Sequence, residues 1–147
     1  MSKSPIQVLL MEDNPTDVKL VEYALSKYED KVTFTSYSSI KELRDTLDLK
    51  SFDLVITDLN LSDSNGIETI RKVNEICRGC PIVVLTGSDD TEMIQNCINA
   101  GAYTFLHKGE VNGNLRRAII SAKAIKDRQE KLLEVVKSSF SGREGNK

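Results

Sequence analysis

No stretch of this chain approaches the ~20 consecutive apolar residues that a membrane-spanning helix needs. Met1-Ser2-Lys3-Ser4-Pro5 leads straight into a strand pattern, without the apolar segment or small-residue cleavage site of a secretory signal. Charge of one sign is also missing. Lys and Arg number 20 against 22 Asp and Glu, a formal net charge of −2, so no global field favours nucleic acid or an anionic membrane surface. Cysteine is scarce and odd in number, three in 147 residues, which fits a reducing compartment better than a disulfide framework. Internal repeats and low-complexity segments are absent, and there is one histidine. These absences argue against a membrane protein, a disulfide scaffold and a basic nucleic-acid binder. The expectation is a cytoplasmic protein that binds neither nucleic acid nor membrane directly. With 39 % hydrophobic and 29 % charged residues, it has the composition and length for one sizeable core.

What the chain does contain is an alternation. Ile6–Met11, Phe52–Asp58 and Pro81–Thr86 are short apolar runs rich in β-branched residues, as expected of strands buried on both faces. Val32–Ser36 has the mixed polarity of an edge strand, and Tyr103–Leu106 is a short fifth one. Helical stripes separate them: Val18, Val21, Leu25 and Tyr28; Ile40, Leu43 and Leu47; Ile67, Ile70, Val73 and Ile76; and a segment near residues 90–99. Asn14-Pro15, Ser38 or Ser39, and Ser88–Glu92 are helix-start chemistry. Asn112-Gly113-Asn114 is expected to cap a final, much longer helix. Strand and helix in alternation, with short connections, call for a doubly wound parallel sheet with helices on both faces.

Ligands in such a sheet sit beyond the carboxyl ends of the strands. The residues found there are Glu12 and Asp13, Asp58, Thr86 and Lys108. If the first and third strands are neighbours, three carboxylates meet in one crevice. Like charges so placed raise one another's pKa unless compensated, and Mg2+ (or Mn2+), with its oxygen ligands and retained waters, is the natural compensator. A carboxylate nucleophile, a divalent ion, a lysine and a hydroxyl are the parts that phosphoryl transfer needs. The residues therefore point to an aspartyl phosphate on Asp58.

Met11-Glu12-Asp13-Asn14, Thr57-Asp58-Leu59-Asn60, Gly66, Leu85-Thr86-Gly87, Ala100-Gly101-Ala102 and Phe105-Leu106-His107-Lys108 together resemble a two-component response-regulator receiver domain. The likeness runs from about residue 6 to 126, with the pieces in the family's order. It implies a flavodoxin-like five-stranded sheet of order 2-1-3-4-5. It implies that Asp58 is the phosphoacceptor, and that Glu12 and Asp13, with Asp58 and the backbone carbonyl of Asn60, hold the metal. Thr86 then takes the place of the switch hydroxyl, Lys108 that of its cationic partner and Phe105 that of the switch aromatic. It also implies a phosphohistidine donor, on a histidine kinase or phosphotransfer domain, and a switch that catalyses only its own phosphorylation and dephosphorylation. Two departures stand out. Gly109 follows Lys108 where the family usually has proline, so a trans bond is expected there, and Ser62 replaces a proline in the loop after Asp58. A phosphatase of the haloacid-dehalogenase kind would also use Asp58, but it needs a second aspartate where Asn60 stands. A degenerate, docking-only receiver would be expected to lack some of Asp13, Asp58 and Lys108, and all three are present.

Residues 1–126 are read as the receiver unit and 127–147 as a helical extension with a flexible end. Ala118, Ala122, Ile125, Gln129, Leu132 and Val136 fall at spacings of four and three, a heptad seam that suggests a parallel coiled-coil homodimer. Leu132, Leu133, Val135, Val136 and Phe140 should lie uncovered on that extension. The pair Cys77-x-x-Cys80 lacks the other half of a zinc site and follows a helix rather than opening one, so it reads as buried thiols. His107 is read as facing solvent or a helix, and Asp53, Asp63, Asp89 and Asp90 as turn and cap residues.

Overall fold

The computed structural model describes residues 5–28, 31–46 and 52–145, with side chains described as far as Phe140. Its elements run β1 (Ile6–Met11), α1 (Pro15–Ser26), β2 (Val32–Tyr37), α2 (Ile40–Thr46), β3 (Leu54–Asp58), α3 (Ile67–Ile76), β4 (Ile82–Thr86), α4 (Thr91–Asn99), β5 (Thr104–His107), a 3-10 turn (Lys108–Glu110) and α5 (Val111–Gly145). The five strands form one parallel sheet in the order β2-β1-β3-β4-β5. β1 and β3 pair through Val8–Leu54 to Met11–Thr57, so the winding reverses between them.

Strand side chains alternate between two cores because successive residues of a strand face opposite sides. Leu9, Met11, Val55 and Val84 join Ile70, Val73 and Cys97 of α3 and α4 on one face. Val8, Leu10, Leu54, Ile56, Val83 and Leu85 meet Val21 and Leu25 of α1, and Leu115, Ile119 and Ala122 of α5, on the other. The apolar runs that look like doubly buried strands are doubly buried. β2 is the partly exposed edge.

The helix starts follow their local chemistry. Asn14 accepts from the Thr16 N–H at 2.9 Å with Pro15 opening α1. Ser39 Oγ accepts from the Glu42 N–H at 3.0 Å, and Asp90 caps α4. Gly66, ahead of α3, has φ +62, which a side chain would strain. The Leu47 expected in the second helical stripe lies outside the described residues.

The last helix departs from expectation at its start. Asn112-Gly113-Asn114 do not cap it; they lie inside it, because the 3-10 turn after β5 already winds the chain and α5 opens at Val111, which is buried. At the other end the helix is continuous to Gly145. The first part of the heptad spacing covers the domain itself. Ala122 is fully buried, and Ala118 packs against the domain's own core. From Leu132 onward the apolar side chains are uncovered: Leu132, Leu133 and Val135 are each 58 % exposed and Phe140 60 %. Among the described residues, no helix is long and apolar enough to cross a membrane.

Candidate functional site

The carboxyl ends of β1, β3, β4 and β5 lie along one rim of the sheet, and the sheet register lines up what they carry. Met11 pairs with Thr57, Asp58 with Leu85, and Thr86 with His107. Glu12 follows β1 directly and is buried, its Oε1 accepting from the Asn14 N–H at 3.1 Å. Asp58 closes β3; its Oδ1 accepts from the Asn60 N–H at 3.1 Å and its Oδ2 from Lys108 Nζ at 2.9 Å.

Lys108 knits the rim together. Its ammonium lies 2.6 Å from Asp17 Oδ2, 2.9 Å from Asp58 Oδ2 and 3.5 Å from Glu12 Oε2. Partial burial works to lower its pKa, but hydrogen bonds to Asp17 and Asp58 and the charges of Asp58 and Glu12 hold it well above the usual range. It is a permanent cation. Glu12 behaves oppositely. Burial raises its carboxyl to about 7, with the Asp58 charge adding to the rise and the Asn14 N–H and Lys108 opposing it.

Glu12, Asp17 and Asp58 offer oxygen atoms that all lie within 4.8 Å of one another. Glu12 Oε2 is buried with no hydrogen-bond partner among the described residues. A buried carboxylate oxygen left unsatisfied beside two other carboxylates suits an oxygen-seeking hard cation, so the donor set fits Mg2+. Asp13 and Asn60 are exposed on the same rim, and Asp13 is not part of that tight group. Asp17 is. The sequence alone does not single it out. A carboxylate in the first turn of the helix that leaves the rim was the available signal.

Thr86 is buried, and its Oγ1 accepts from the Ser88 N–H at 3.0 Å. Phe105 lies outward, 42 % exposed, on β5. The loop after Asp58 is fixed without a proline. Leu61 N–H donates to the Ser64 carbonyl at 2.8 Å, and the buried Thr69 hydroxyl bridges the Leu59 carbonyl and Ser64 Oγ. No cis peptide occurs among the described residues, so Lys108-Gly109 is trans. His107 shapes that connection: its Nδ1 accepts from the Gly109 N–H at 3.0 Å, while Nε2 lies 3.4 Å from Asp89. The histidine is thus a cap on the turn that presents Lys108, a role its sequence position did not announce. Cys77 and Cys80 are buried free thiols; burial pushes Cys77 up to about 11 and raises Cys80, which leaves little thiolate for redox or metal chemistry.

Comparison with known proteins bears on both the family and the fold. The sequence profile of the response regulator receiver domain matches residues 8–120. Response regulator protein PilR of Pseudomonas aeruginosa is 28% identical over 116 residues, 79% of this chain and 26% of its own length. The chain spans about a quarter of the length of this and other curated relatives. The receiver domain of an HD domain-containing protein from Pseudomonas fluorescens superposes with a TM-score of 0.77 at 20% identity, covering 89% of this chain and 96% of that one. A sensor histidine kinase receiver domain from Pseudomonas aeruginosa, solved with a magnesium ion coordinated in its active-site cleft, gives 0.69 at 23% identity, with coverage of 82% and 99%. At such identities these structures speak for the fold alone.

Proposed function

Because the chain belongs to the response regulator receiver family, we propose that it is a phosphorylation-controlled signalling switch whose phosphoacceptor is Asp58. The observation that carries this reading is the pairing of Asp58 with a permanently charged lysine at 2.9 Å, beside a buried Glu12 oxygen that lacks a hydrogen-bond partner. Glu12, Asp13 and Asp58, with the Asn60 carbonyl, would hold Mg2+ (or Mn2+). Such an ion, when bound, neutralises charge on the phosphoryl oxygens and allows the carboxylates to crowd together.

An Asp58 carboxylate oxygen attacks the phosphorus of a phosphohistidine in line with the scissile bond. The O–P bond forms as the N–P bond breaks, and the imidazole leaves with the electron pair and takes up a proton. Lys108, free of its contact with the Asp58 oxygen, meets the new phosphoryl oxygens, and the Thr86 hydroxyl turns from Ser88 to donate to them. Hydrolysis of the acyl phosphate regenerates the carboxylate and releases inorganic phosphate. The chain is therefore a switch with no small-molecule substrate to turn over, and the donor is a histidine kinase or phosphotransfer domain. Movement of Thr86 would bias Phe105, which stands exposed on the adjacent strand as the readout surface. We place this chemistry in the cytoplasm, in a receiver unit over residues 1–126 with residues 127–147 as its extension. The uncovered stripe of Leu132, Leu133, Val136 and Phe140 supports a homodimer through α5.

The test is direct. Acetyl phosphate with Mg2+ should give a base-labile adduct on Asp58 of the intact chain, seen as an added phosphoryl mass that Asp58→Asn does not acquire. A wild-type chain that stays unmodified, or an adduct that persists in Asp58→Asn, refutes the assignment.

A further inference from the structure

Lys108 does not divide itself evenly among three carboxylates. Its shortest contact, 2.6 Å, is with Asp17 in the first turn of α1; Asp58 follows at 2.9 Å and Glu12 at 3.5 Å. Phosphoryl transfer as written above gives Asp17 nothing to do. Yet Glu12 and Asp58 are two of the groups that would hold a divalent ion, and an ammonium lodged against their oxygens competes for those same oxygens. The ammonium has to be drawn elsewhere.

We propose that Asp17 is a positioning residue that draws the Lys108 ammonium off Glu12 and Asp58, so that a divalent cation can take those two carboxylates. The proposal rests on the phosphoacceptor reading of the rim and adds to it a residue that lets two cations share one acidic site. An ammonium has three donors and no acceptor, so it stays wherever anionic oxygen is nearest. Asp17 supplies that oxygen from a different element, α1, without being one of the strand-end ligands. Its side chain is 20 % exposed and that of Lys108 24 %, so the pair is shielded more than an ordinary surface ion pair. Without the Asp17 charge, the ammonium has only the cation's own ligands to sit on.

The test is a double-mutant cycle on Mg2+ affinity, read on the full chain by calorimetry or by amide chemical shifts of the rim. Wild type, Asp17→Asn, Lys108→Gln and the double variant are titrated with MgCl2, after each has been shown to melt cooperatively. Lys108→Ala replaces Lys108→Gln if the latter does not. With Lys108 present, Asp17→Asn should weaken Mg2+ binding by about tenfold. With Lys108 neutralised, the same change should alter affinity less than about twofold. No loss with Lys108 present overturns the proposal. An equal loss in both backgrounds also overturns it, since Asp17 would then be a ligand or a plain field charge. Normal Mg2+ binding without the non-additivity removes only the role of Asp17. Absence of Mg2+ binding in wild type, together with no adduct on Asp58, removes the phosphoacceptor reading itself.

Discussion

Two carboxylates on this molecule are pulled in opposite directions, and each makes its own prediction. Asp63, in the loop after β3, accepts from the Ile40 N–H at 2.9 Å and the Lys41 N–H at 3.0 Å, and so caps α2 from 22 to 23 residues away in sequence. Burial tends to raise its pKa, but these donors, its own amide and Lys72 outweigh that and hold it below 3.8. A depressed carboxyl contributes its stability fully above the unfolded value and loses it as pH falls through the lower folded value. Asp63→Ala should therefore cost about 1 kcal/mol in urea unfolding at neutral pH, the usual size of a lost cap, with the deficit shrinking at strongly acidic pH. Glu12 is the reverse case. Its pKa is raised from 4.5 to about 7, so the folded state binds more protons than the unfolded state between those values, and stability falls as pH climbs through that window. Glu12→Gln, which cannot ionise, should gain stability relative to wild type when metal-free protein is compared at about pH 5 and about pH 8. For wild type, Mg2+ affinity should rise with pH up to about 7 and then level off, because the ion displaces a proton. An affinity that stays flat across that range would contradict the placement of Glu12 against the metal.

At the scale of an element, α5 is one helix with two environments. Ile119 is fully buried beneath it, whereas Leu132, about four turns further on, is 58 % exposed. Ile119→Ala should destabilise the domain by about 2–4 kcal/mol through lost burial and the cavity left behind. Leu132→Ala should stay within about 0.5 kcal/mol in dilute protein, where nothing covers it. Chemical denaturation of the two variants checks both. A large loss from Leu132→Ala at low concentration would mean that the extension folds back onto the domain. The strand ends matter in the same way. Because β1 and β3 are neighbours and each is followed by a helix on a different face of the sheet, their terminal residues Glu12 and Asp58 face one crevice, with Asp17 on the first turn of the departing helix.

For the whole molecule, the question is what covers the free half of α5. Leu132, Leu133, Val136 and Phe140 are all about half exposed or more, an apolar stripe beyond the part of the helix that packs on the sheet. Sedimentation should show self-association that deepens with concentration and is abolished by Leu132→Glu combined with Val136→Glu, while Asp58 phosphorylation and the domain's melting remain intact. A chain that stays monomeric at high concentration, whether or not Asp58 is phosphorylated, would remove the dimer.

The sequence by itself determined the alternation of strands and helices, the two-sided burial of β1, β3 and β4, and the set of acidic, hydroxyl and lysine side chains at the strand ends. These are read from period, apolar run and cap chemistry, which are local. It did not reveal that Asp17 is the nearest partner of Lys108, since 91 residues separate them and only the winding of the sheet brings the start of α1 and the end of β5 to one rim. Nor did it reveal that His107 caps its own turn, or that the helix Asp63 caps is α2, 22 to 23 residues earlier in the chain. Along α5, the same spacing runs through Ala118 and Ala122, which pack on the domain's own sheet, and on into the uncovered Leu132 and Val136. Spacing along one helix cannot say which surface that helix meets. Only the packed structure decides that, because burial and electrostatic pairing depend on distance through space rather than along the chain.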